Sequence, residues 1–178
     1  KTVLLFAIFS ILLVFNNSCD ESENLLTERS AADCSIDTSN VVVNSLPCDS
    51  AITLELLAGQ TIPVGSVSIY SDGTDLTVVY STTGGWVMDE THLFVGNCSD
   101  VPLNAACNPK IGQFPYSEDH IPGVSSYSYV IPLSSIPDCF CFIAHAAVSN
   151  AGVSEETAFA NGENELPGDR WGWFSIFC

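Results

Sequence analysis

This chain is expected to fold as an all-β protein, for three reasons. Apolar and polar residues alternate with a period of two through several short runs, the mark of strands with one face buried. Clusters of Gly, Pro, Asn, Asp and Ser punctuate those runs at strand-like spacing, and no convincing helical period intervenes. Eight cysteines among 178 residues supply covalent staples. Together these describe an antiparallel β-sandwich of about seven or eight strands, immunoglobulin-like or jelly-roll-like and stapled by disulfides. The length suits one domain with a single sizeable core.

The alternation is clearest between Thr61 and Gly96, where Val67 and Ile69, then Leu76, Val78 and Tyr80, then Leu93 and Val95 recur on one face. Ser71-Asp72-Gly73-Thr74-Asp75 and Thr83-Gly84-Gly85 separate these runs with residues that tolerate positive φ or cap turns. A three-strand antiparallel meander follows. Ile52–Leu57 is the strand before it. Asn97–Pro122 holds four prolines and little periodicity, which predicts a long loop that is stapled or functional. Val124–Leu133 alternates again. Cys139–Val148 is apolar almost throughout, as suits a central strand covered on both faces. Ser154–Ala160 is a short strand, 161–169 a turn-rich loop, and Trp171–Phe177 the closing strand, ended by Cys178.

Of the 25 charged residues 21 are acidic, and a net charge of −17 opposes binding to nucleic acid or to an anionic membrane surface. Acidity of this kind keeps an extracellular protein soluble; calcium or another hard cation is the sharper reading. The cysteines and an apolar N-terminus imply an oxidising compartment, and without a Cys-x-x-Cys pair disulfides are favoured over zinc. The expected pairs are Cys98–Cys107, closing a ring within the long loop, Cys141–Cys178, tying down the terminus, and Cys34–Cys48, unless these last two staple the N-terminal segment to the domain. Cys139 is left over as a link between chains.

Lys1 precedes an apolar run from Thr2 to Phe15, and Asn16-Asn17-Ser18 leads to Cys19 and the acidic Asp20-Glu21-Ser22-Glu23. A positive start, an apolar stretch and a small residue at a polar break predict a signal peptide over 1–18. The run is short of the about 20 apolar residues of a membrane span. Ser18-Cys19 resembles a bacterial lipoprotein processing site, and the acidic residues after it resemble the surface-export signal of Bacteroidota lipoproteins. That resemblance implies lipid on Cys19 and anchoring in the outer membrane. Ordinary secretion with Cys19 retained is the alternative, and cysteine parity favours it, since lipidation leaves an odd number. Polar residues 19–50 are expected to tether a folded domain over 51–178. Asp49-Ser50-Ala51 resembles the short O-glycosylation acceptor of Bacteroidota, although a turn before a strand explains it as simply. The pieces DGTDLTVVY, ETHLFVG, CNPKIGQFPY, EETAFA and WGWF resemble a secreted β-domain that recurs in bacterial surface proteins, which implies fold and location only.

Catalytic signals are weak. No G-x-S-x-G elbow accompanies His92, His120 and His145. The acid pairs Asp89/Glu90 and Glu155/Glu156 occupy adjacent strand positions on opposite faces, unsuited to joint acid–base work. If the strands of His92 and His145 are neighbours, both rings meet Glu90 in a His/His/carboxylate metal site; a pair of buried histidines is the simpler reading. Aromatics offer the better handle. Trp86 adjoins a Gly-Gly turn, Phe114 and Tyr116 lie in the long loop, and Trp171 and Trp173 share a strand face. Exposed, they stack on sugar rings; turned inward, they are core. The expectation is a non-enzymatic, extracytoplasmic binding or adhesion module presenting these aromatics to a glycan or cell-surface protein. A secreted metal-dependent or glycoside hydrolase and a structural surface component are the alternatives.

Overall fold

The computed structural model describes residues 34–47, 50–151 and 153–178, with backbone alone at 153 and 154. The expected signal peptide, the lipidation position Cys19 and the residues Cys48 and Asp49 lie outside the described residues. Eleven strands run in chain order: β1 (Val43–Asn44), β2 (Ile52–Ala58), β3 (Ile62–Ser71), β4 (Asp75–Thr82), β5 (Trp86–Gly96), β6 (Tyr116–Val124), β7 (Ser126–Pro132), β8 (Phe140–Asn150), β9 (Val153–Ala160), β10 (Asn164–Glu165) and β11 (Trp173–Phe177). No helix among the described residues is long and apolar enough to cross a membrane.

The strands form one mixed sheet along the path β6-β5-β8-β9-β2-β3-β4-β7. Strand β11 shares with β9 the same edge of β8, and the short β1 runs parallel to β11. The sheet folds over at β2, which pairs with β3 along its length but with β9 only through Leu56, Leu57 and Ala58, beside a bulge. Bulges bend a strand and increase its twist, and here the bend separates two packed layers. Leu56, Ile69, Tyr80, Met88, Leu93 and Phe142, drawn from both layers, are fully buried between them.

The expected meander is correct for its first two strands. Strand β3 pairs with β4 through a turn in which the Asp72 carboxylate accepts the N–H groups of Thr74 and Asp75 at 2.8 Å each. Those bonds, Asp75's first, hold the Asp72 carboxyl below its ordinary range. The third strand departs. After Gly84 and Gly85, at φ +65° and +85°, β5 crosses to the other layer and pairs with β6 and β8, leaving β4 to pair with β7. Both glycines adopt left-handed backbone that an L side chain resists.

Strands β6 and β7 form no ladder with each other, so the sheet is not closed into a barrel. Side chains bridge that side instead. The Tyr80 hydroxyl donates to the His92 carbonyl at 3.0 Å, and the Tyr129 hydroxyl donates to the Thr91 carbonyl at 3.1 Å. Thr91 Oγ1 lies 2.8 Å from that hydroxyl and 3.0 Å from His120 Nε2. Burial raises Tyr80 well above its ordinary pKa and Tyr129 to about 12, keeping both as neutral donors.

The long loop expected over Asn97–Pro122 is shorter, because Tyr116–Val124 is strand β6, laid along the edge of β5. Its proline, Pro122, and weak alternation suit an edge strand paired on one side only. The remaining loop, with 3-10 turns at Cys98–Asp100 and Ile111–Gln113, lies across the outer face of β5, β8 and β11. There a second apolar cluster forms, in which Val101 and Phe114 from the loop and Ile36 from the N-terminal segment cover Phe94, Ile143 and Phe174. Strand β8 is therefore buried on both faces, as its apolar run predicts. Part of the expected tether belongs to the body, since Val43 and Asn44 pair with β11 and Leu46 N–H donates to the Cys178 carbonyl at 3.0 Å.

Three disulfides staple these pieces, and their partners differ from those expected. Cys98 bonds Cys141 rather than Cys107, because β5 pairs Gly96 with Cys141 and so delivers Cys98 beside the outer face of β8. Cys139 bonds Cys178, since the register Phe177 to Phe140 sets those two opposite, whereas Cys141 lies opposite Ile176. Cys139 is therefore not a link between chains. Cys34 bonds Cys107, not Cys48, and ties the N-terminal segment to the loop. Three such bonds belong to an oxidising, extracytoplasmic setting.

Candidate functional site

On the outer face of the sheet the registers place His92 opposite His145 and His145 opposite Phe159, in a row across β5, β8 and β9. The row continues into the β10–β11 hairpin. Glu165 pairs with Trp173, and Leu166 N–H donates to the Gly172 carbonyl at 3.0 Å, which turns the segment from Pro167 to Trp171 outward as a tip. Gly172 sits at φ +153°, where a Cβ would meet Leu166 Cδ1 at 2.8 Å and the Phe159 ring at 3.1 Å. Only glycine allows the two tryptophans to flank it in this position.

Consecutive ring centroids stand 5.4 Å apart from His92 to His145, 4.9 Å to Phe159, 5.2 Å to Trp171 and 5.7 Å to Trp173. The last three contacts are edge-to-face, the arrangement that ring quadrupoles favour. Four of these rings, His145, Phe159, Trp171 and Trp173, line an open cleft of about 740 Å³, within the size range of small-molecule sites. Gln60, Thr157, Glu165, Asp169 and Arg170 add polar groups to its walls.

The tip is held rigidly. The Asn108 side chain accepts the N–H groups of Asp169 and Arg170 at 3.1 and 2.9 Å, and donates to the Asp169 carboxylate at 2.6 Å. Asn108 is itself buried and stands beside Cys107, whose disulfide to Cys34 anchors the loop. The cleft wall is thus tied to two other segments and preorganised.

The expected aromatic residues divide. Trp171 and Trp173 are half-buried, each giving part of its surface to the second apolar cluster and part to the cleft. Trp171 stands just before the closing strand, not within it. Phe114 is buried against Phe94 with centroids 5.7 Å apart, so it is core. Tyr116 packs against the main core beside Tyr129, and Trp86 packs against the same core near the Gly-Gly turn. None of these three reaches the cleft.

His92, His145 and Glu90 are brought together, but not as a metal site. Glu90 Oε2 takes His92 Nε2 at 3.1 Å, while Nδ1 of both histidines is buried without a hydrogen-bond partner among the described residues. Among the described residues no group of three or more His, Cys, Asp or Glu is arranged to hold a metal ion, calcium included. Burial, and secondarily His92, pushes the His145 pKa down to about 3, so its imidazole is neutral.

Phe159, Asn108 and the hairpin acids escaped sequence reasoning. Phe159 shows only as one apolar position in a short strand, and nothing local says that it will face His145. Comparison of the chain with known protein families, with characterised proteins and with solved structures gives no match. What fold and cleft together define is a disulfide-stapled, all-β extracytoplasmic domain with an aromatic-walled cleft on one outer face.

Proposed function

We propose that this chain is a non-enzymatic binding module that holds a glycan in the cleft of Trp171, Trp173 and Phe159. It works at the cell surface and is anchored in the outer membrane through lipid on Cys19. One observation supports this reading most: two half-buried tryptophans open together into a preorganised cleft that also carries polar groups. Indole faces pack well on the C–H faces of sugar rings, while Gln60, Glu165 and Arg170 supply the hydrogen bonds that orient hydroxyls. The acidic surface, net −17, keeps such a domain soluble outside the cell.

Trp171→Ala tests the reading on a glycan array followed by titration calorimetry. Loss of at least tenfold in affinity is expected, with the folded circular dichroism spectrum retained, because the partly exposed ring packs against the second apolar cluster without being one of its buried members. A folded variant that binds as the wild type does would overturn it.

A further inference from the structure

The cleft contains a buried polar group that the fold leaves without a partner. His145 is 8% exposed, and its Nδ1 is fully buried with no hydrogen bond to any described residue. Its Nε2 makes no hydrogen bond to a described residue either, but it is reached by solvent, and this edge of the ring faces the cleft that His145 lines. A buried polar atom left unpaired costs about 1–3 kcal/mol, and an unsatisfied donor is harder to tolerate than an unsatisfied acceptor. The proton of a neutral imidazole therefore belongs on Nε2, at the cleft, with Nδ1 as the bare acceptor behind it. Burial keeps this ring from taking a second proton under ordinary conditions.

The surroundings limit what that donor meets. Glu165 and Asp169 line the cleft against a single cation, Arg170, in a chain whose net charge is −17. A sugar carboxylate or sulfate would meet like charge here, and a neutral imidazole gives it no compensating ion pair. A hydroxyl oxygen suits the donor without any such cost.

Resting on the glycan reading of the cleft, we propose that His145 is the polar contact at its floor, donating from Nε2 to a sugar hydroxyl. The same site accepts uncharged glycans and discriminates against acidic ones. The His145→Phe variant keeps the ring and its packing against Phe159 while removing the donor.

The probes are the neutral hexasaccharides of xylose, glucose and mannose, set against oligogalacturonate of matching length. Wild-type protein is expected to bind at least one neutral probe at least tenfold more tightly than oligogalacturonate. His145→Phe should weaken that binding roughly five- to tenfold, as loss of one hydrogen bond does. Glu165→Gln should narrow the gap between neutral and acidic probes. In the wild-type protein, which raises no question of folding, nitrogen-edited NMR of the ring should show the Nε2–H form, with its signals moving as the neutral probe saturates. Ring signals that stay still at saturation, or equal affinity for oligogalacturonate, would overturn the inference while leaving the glycan reading intact. Binding that survives both Trp171→Ala and His145→Phe would remove the cleft from the account altogether.

Discussion

Replacing His145 with Phe should reduce the protein's acid lability between pH 7 and 5, and the size of the effect follows from where the ring sits. Burial against Phe159 and the neighbouring His92 lower its pKa from 6.5 to about 3 in the folded chain. Because the folded value lies below the unfolded one, the unfolded state binds the proton first as pH falls. Stability is thus unaffected above pH 6.5 and declines progressively from there toward pH 3. At pH 5 the unfolded chain is favoured by about 2 kcal/mol through this one group, and over the whole window by about 5 kcal/mol. Urea unfolding followed by tryptophan fluorescence, on wild type and His145→Phe at pH 7 and pH 5, isolates the effect as a difference of differences. Titrating groups away from the ring contribute equally to both proteins and cancel. Identical pH dependence in the two proteins would refute the reasoning, since it would mean that the ring titrates in the folded chain as it does in the unfolded one.

Three further outcomes are expected. Cys98→Ala with Cys141→Ala releases a crosslink of sequence separation 43 and should lower stability by about 4 kcal/mol in the chain-entropy account, read as a shift of the urea midpoint; an unchanged midpoint would show that the loop is held by packing alone. Tyr129→Phe removes the hydroxyl that joins β7 to Thr91 and should cost about 1–3 kcal/mol, whereas Tyr127→Phe, whose hydroxyl makes no hydrogen bond to a described residue, should cost under about 0.5 kcal/mol. Six of the eight cysteines are paired, so a lipidated Cys19 leaves Cys48 as the one remaining thiol. Mass spectrometry of the unreduced mature protein should find acylated Cys19 and a Cys48 not bonded within the chain; a Cys19–Cys48 disulfide would refute the anchoring.

Much of the fold was legible because its signals are local. The alternation of β3 and β4 and the Asx turn between them depend on residues within a dozen positions of each other. So does the apolar run of β8, which suits a strand buried on both faces. The fate of β5 was not legible. Its alternation looks the same whether it pairs with β4 or crosses to the other layer, and two left-handed glycines decide between them. The disulfides show the same limit. Cys107 is nearer to Cys98 in sequence than Cys141 is, yet a register of β5 against β8, set by dozens of side chains packing together, chose the distant partner.

The cleft divides in the same way. Trp171 and Trp173 stood out by type and spacing, and His92, His145 and Glu90 by the chemistry of their side chains. Whether any of them met, and what they faced, depended on pairings that no short window of sequence encodes. From residue order alone follow the strand-rich body, the oxidising compartment and a charge that repels phosphate, because composition and period act locally or by summation. Tertiary structure alone decided that Phe114 and Tyr116 are core, that burial keeps His145 neutral where it stands beside His92, and that Phe159 joins them to the tryptophans. Those outcomes rest on register and layer packing, which bring together residues far apart in the chain once the competing ways of burying the same apolar faces have been resolved.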